Sequence, residues 1–213
     1  MGKPTIKLHF MGADKQLRKH LPQIKQISRS AIAKIAGLLQ FKEDVDVIIY
    51  RYHAPEKNLA VSGYAPNGNL VWIYIDPSQK DFKKTLGEQL PKALAHELHH
   101  AARWQGPGFG ETLEEVLITE GLASHFEQEV FGGKPASYYV KFLNKDLVVL
   151  WNKAQRELKS DKFSYDDWFF GNKKQNLPKH GGYALAYWLM ESVSVKPSTL
   201  ARVRAGQVIK KMI

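Results

Sequence analysis

The sequence predicts an α+β fold, on three observations. Strand-like alternation is confined to the first third of the chain, and from Asp81 onward the pattern is helical. The composition is that of an ordinary globular protein, 44% hydrophobic and 24% charged over 213 residues, enough to bury a core. No apolar run approaches the roughly 20 residues of a membrane helix.

Taken in order, Thr5 to Phe10 is the first strand, with Ile6, Leu8 and Phe10 alternating against Lys7 and His9. A helix follows across about residues 22–39, its stripe being Ile24, Ile27, Ala31, Ile35 and Leu38. Val45 to Arg51 is β-branched and aromatic and reads as a strand. Leu59 to Tyr64 and Leu70 to Asp76 read as two more, joined at Pro66-Asn67-Gly68, and Asp76-Pro77 ends the sheet. A small, mostly antiparallel sheet is expected.

Helices are expected at about 82–104, 112–131, 136–159 and 181–194, with a weaker one near 198–211. Pro91 either kinks the first of these or begins a fresh helix. The expected division is an α/β part over about 1–80 and a helical part over about 81–213, within one domain spanning 1–213.

Charge is unevenly spread. Residues 1–79 carry +5, residues 80–131 carry −4 and residues 132–213 carry +9, giving the net +10. The basic residues are dispersed, which fits a lysine-rich surface better than a nucleic-acid arm. The absence of cysteine excludes a disulfide framework and a thiolate zinc cluster. The opening segment lacks the build of a signal peptide, so a cytoplasmic protein is expected.

The acidic middle segment holds the chemistry. His96-Glu97-Leu98-His99-His100 fits H-E-x-x-H. Leu90, Leu94 and Leu98 recur every four residues and define a buried stripe, so His96 and His100 share another face one turn apart. That spacing lets one metal ion bridge two imidazoles, with Glu97 flanking them. Eight histidines and 12 glutamates in 213 residues give roughly 0.02 chance matches to the pattern. A catalytic zinc needs a third protein ligand and an open position. Thr112 and Glu115 read as a capping box that starts the next helix, and Glu120 falls inside its apolar arc. A carboxylate there is costly to bury unless paired, hydrogen-bonded or bound to metal. The plain alternative is a helix-face glutamate paired with a lysine.

These residues resemble the gluzincin class of zinc peptidases: His96-Glu97-x-x-His100, then Glu120-Gly121-Leu122-Ala123. More narrowly, the chain resembles the YjaZ-like bacterial family of predicted zinc-dependent proteases, most clearly from Leu90 to Phe131. A later Gly-Tyr helix, Gly182-Tyr183-Ala184-Leu185-Ala186-Tyr187, belongs to the resemblance. It implies a zincin-like domain with zinc (Zn2+) on His96, His100 and Glu120. It also implies Glu97 as the catalytic base and a peptide or protein substrate.

Two departures narrow this reading. Metzincins place glycine and histidine where this chain has Arg103 and Gly106, which excludes that subclass. Thermolysin-like enzymes carry an aspartate four residues after the ligand glutamate, where Ser124 stands here, so another group must orient a ligand imidazole. Asp76 and Asp81 are the candidates.

Hydrolysis also needs a donor for the tetrahedral oxyanion, and Tyr183 and His180 are the candidates, each with a plain core or loop reading. His99 adjoins the motif but has the poorer spacing. His125 reads as solvated, and Glu127 lies too far along its helix. Trp151, Trp168 and Trp188 read as core, and Asp166-Asp167 as helix capping. Two other functions compete: a catalytically silent zinc-binding module that holds peptide, and a basic nucleic-acid-binding protein. The latter lacks aromatic-plus-basic recognition motifs.

Overall fold

The computed structural model describes residues 2–53, 59–133, 142 and 144–210. The chain divides into two compact units, Met1–Gly106 and Pro107–Ile213. The fold is α+β, as the sequence predicts. No helix among the described residues is long and apolar enough to cross a membrane.

The first unit holds β1 (Ile6–Phe10), α1 (Lys15–Arg18), α2 (Leu21–Ile35), β2 (Val45–Arg51), β3 (Val61–Asn67), β4 (Leu70–Ile75) and α3 (Phe82–Trp104). The four strands form one sheet in the order β1-β2-β4-β3. Here the expectation of a mostly antiparallel sheet is corrected. The β1–β2 and β2–β4 pairs are parallel, and only β3–β4 is antiparallel. The hairpin at residues 66–69 was legible, but it docks on β2 through its second strand, which runs parallel to β2. Alternation specifies which face is buried and not which neighbour a strand takes.

One sheet face is core: Val45, Val47 and Ile49 of β2 and Val71, Ile73 and Ile75 of β4 are fully buried. The register sets Val47 beside Val71 and Ile49 beside Ile73. The other face carries half-exposed aromatics, with Tyr50 edge-on to Tyr74 and Tyr64 tilted against Trp72. Burial of Tyr74, then its hydrogen bond with Tyr50, raises the phenol pKa.

Helix α2 ends at Ile35, earlier than the sequence predicts. Leu38 therefore leaves the stripe and is 41% exposed, while Leu39 is buried in its place. Helix α3 matches the expected 82–104 and contains Pro91 without a break. It packs on β3, β4 and α2. At its end Gln105 joins three chain segments: its Oε1 accepts from the Lys42 and Glu43 amides, and its Nε2 donates to the Gly68 carbonyl.

The second unit holds α4 (Leu113–Phe131), α5 (Asn144–Ala154), α6 (Tyr165–Phe170), a 3-10 turn at Lys173–Gln175, α7 (Gly181–Met190), α8 (Pro197–Leu200) and α9 (Ala205–Ile209). The Thr112–Glu115 capping box forms as read. The expected helix at 136–159 is found over Asn144–Ala154; residues 134–141 and 143 lie outside the described ones. The expected helix near 198–211 is two short helices, α8 and α9, with residues 211–213 outside the described ones. Helix α4 packs on α7, α8 and α9, and α7 on α5 and α6. Trp168 is fully buried in this core, with Trp151 and Trp188 packed against it, as their core reading requires. Ser164 caps α6, accepting from the Asp167 amide, and Asp166 and Asp167 occupy its first turn.

Candidate metal centre

In the first unit, α3 carries His96, Glu97 and His100 on consecutive turns of an unbroken helix. The His96 and His100 rings meet edge to face, with centroids 4.6 Å apart. His96 is half-buried and His100 is 4% exposed. His99 is fully buried.

Glu97 is buried at 7% exposure, and its side chain lies on the backbone of β3, an edge strand of the sheet. A Cβ at Gly63 would stand 2.4 Å from Glu97 Cγ and 2.9 Å from its Oε1. Glycine at 63 thus makes the room in which the Glu97 carboxylate sits. Gly63→Ala is expected to push the Glu97 side chain off its place from Cγ outward, so a reaction that uses Glu97 slows about tenfold or more and the melting temperature falls as well. Peptide turnover and a thermal melt on one preparation check this; unchanged turnover would show that Glu97 tolerates the shift.

Asp76 is buried, and its carboxylate accepts from the Ser78 amide and hydroxyl and from Gln79 Nε2. Asp81 begins α3 in the left-handed region, φ 54°, with no side-chain cap.

In the second unit, Glu120 lies on α4 at 3% exposure. Its Oε1 accepts a hydrogen bond of 3.0 Å from the Tyr165 hydroxyl, which in turn is 3.1 Å from the Tyr183 hydroxyl. Burial first, and the Glu120 charge second, push the Tyr165 pKa far up, so this phenol keeps its proton. Tyr165 is the residue that sequence reading missed. Its partner lies 45 positions away in sequence, and no local motif marks such a bond. Ser124, at the position where thermolysin-like enzymes carry aspartate, donates its hydroxyl to the Glu120 backbone carbonyl at 2.8 Å.

The glycine of Glu120-Gly121 has a packing reason. A Cβ at Gly121 would lie 2.3 Å from the Ala186 carbonyl oxygen and 2.5 Å from Met190 Cγ, so α4 and α7 meet backbone to backbone there. Tyr183 is half-buried on α7, edge-on to Phe169. His180 begins that helix in the left-handed region, φ 64°, with its ring 6.3 Å from that of Tyr183.

His125 corrects the sequence reading. It is half-buried rather than solvated, stacked on Tyr187 at 4.3 Å, and its Nε2 is 3.0 Å from the Tyr187 carbonyl, to which it donates. Burial lowers its pKa. Glu127 is buried at 6% exposure.

His96 and His100 in the first unit, and Glu120 in the second, are each side chains of the kind that ligate a metal ion. Two imidazoles and a carboxylate are a donor set that suits zinc in a catalytic site with an open position. No curated protein and no solved structure matches the chain. A family model does match, over residues 24–209, and the chain belongs to the family described as predicted Zn-dependent protease (DUF2268).

Proposed function

We propose that this chain is a gluzincin-type zinc peptidase of the YjaZ-like kind, with His96, His100 and Glu120 as metal ligands and Glu97 as general base. The observation that carries the reading is the imidazole pair on α3, one turn apart and in ring contact at 4.6 Å, with a buried carboxylate at the intervening Glu97. The buried Glu120 on α4 supports the third ligand. Family membership supports the metal and the reaction class.

Zinc, when bound, supplies Lewis acidity that polarises the scissile carbonyl and acidifies the attacking water. Glu97 takes a proton from that water as its oxygen bonds to the carbonyl carbon. It then delivers the proton to the amide nitrogen as the C–N bond breaks, leaving an amine and a carboxylic acid, which ionises in water. Tyr183 and His180 are the donors proposed for the oxyanion.

The test is cleavage of a mixed peptide library by zinc-loaded wild type with Glu97→Gln beside it. Cleavage by wild type alone supports the reading. No cleavage by wild type, or equal cleavage by both, overturns it.

A further inference from the structure

The carboxylate of Glu120 is buried on α4, and a hydroxyl from α6 bonds it. Tyr165 donates to Glu120 Oε1 at 3.0 Å. A phenol has one proton, so a Tyr165 hydroxyl committed to the carboxylate can only accept from its other neighbour. The 3.1 Å contact between Tyr165 and Tyr183 therefore runs from Tyr183 to Tyr165. The result is a directed chain, Tyr183 to Tyr165 to Glu120, ending on one carboxylate oxygen.

The surrounding aromatic packing fixes that chain. Tyr165 stacks on Phe169, one turn further along α6, at 4.3 Å and 14°. Phe169 is fully buried and meets Tyr183 edge-on at 4.8 Å. Gly182 admits this arrangement, since a Cβ there would come within 3.0 Å of three Phe169 ring atoms. Both rings are thus packed against the core of the second unit, which holds their hydroxyls in place.

We infer that Tyr165 is the positioning residue of the metal-ligand carboxylate, backed by Tyr183. It rests on the zinc-ligand reading of Glu120 and gives that ligand a side-chain hydrogen bond that orients its carboxylate. A hydrogen bond to a ligating carboxylate fixes its rotamer, and removing such a partner costs about 10–100-fold in metal affinity. The chain also commits the Tyr183 proton inward, so Tyr183 serves an oxyanion only by releasing Tyr165.

The experiment measures zinc affinity by competition with a chromophoric chelator for full-length wild type, Tyr165→Phe, Tyr183→Phe and Glu120→Ala. Phenylalanine at 165 keeps the stack on Phe169 and removes only the hydroxyl. Tyr165→Phe is expected to bind zinc about 10–100-fold more weakly, with unchanged circular dichroism of the metal-free protein and a shifted visible spectrum of the cobalt-substituted form. Tyr183→Phe, one bond further out, is expected to weaken zinc binding in the same direction but by less than Tyr165→Phe.

Wild-type zinc affinity and cobalt spectrum in Tyr165→Phe, with affinity lost in Glu120→Ala, overturn the positioning role and leave the ligand reading standing. Wild-type affinity in Glu120→Ala removes the ligand reading itself. Should Tyr165→Phe fail to fold, Tyr183→Phe decides, and wild-type zinc affinity there overturns the chain.

Discussion

Glu97→Gln is expected to lower peptide hydrolysis by about 10²–10⁴-fold while zinc content and thermal stability stay at wild-type values. The amide has the shape of the carboxylate, so it fills the same space over Gly63, where Glu97 Cγ sits 2.4 Å from the site of a missing Cβ. What it lacks is basicity, and it cannot take a proton from the attacking water. The loss should fall on kcat, because the side chain is assigned to the chemical step and not to holding the metal. Turnover of a single cleaved peptide, read beside zinc content, checks this. A variant within tenfold of wild type would remove Glu97 from the role of base.

Gly121→Ala is expected to destabilise the protein by about 3 kcal/mol, at the upper end of the usual cost of overpacking. The added methyl would meet the Ala186 carbonyl oxygen at 2.3 Å, and a backbone oxygen cannot swing aside as a side chain can. Helices α4 and α7 would have to part, and both the Glu120 and Tyr183 segments ride on them. For a chain of this size the shift corresponds to a drop of roughly 6–12 °C in melting temperature. Gly87→Ala is the control. Gly87 is exposed within α3, with nothing within 4 Å of its Cβ position, and alanine there should stabilise slightly. Equal melting temperatures for the Gly121 and Gly87 variants would contradict the close-packing account.

The parts of the fold that were legible in the sequence are those with a local cause. The leucine stripe at 90, 94 and 98 and the Thr112–Glu115 box announce α3 and α4, and both helices lie where their signals place them. The His96–His100 spacing places two imidazoles on one helix face, and their rings do meet. What escaped the sequence depends on distant partners. Parallel pairing of β4 with β2 is a choice of neighbour, which alternation does not encode. Leu38 fits a helical stripe, yet α2 stops at Ile35 and Leu39 takes the buried place. Tyr165 sits in a short helix that reads only as a capped turn, and its bond to Glu120 exists because α6 packs on α7 within the same unit. Gly63 and Gly121 are of the same kind, since each is small because another segment needs the space.

We propose a single zinc site built from His96, His100 and Glu120. It is tested most directly by metal content, read by mass spectrometry after zinc repletion and dialysis, of wild type, His96→Ala and Glu120→Ala. About one zinc per chain is expected in wild type and little or none in either variant. Wild type without zinc after repletion, or zinc retained in both variants, would contradict it.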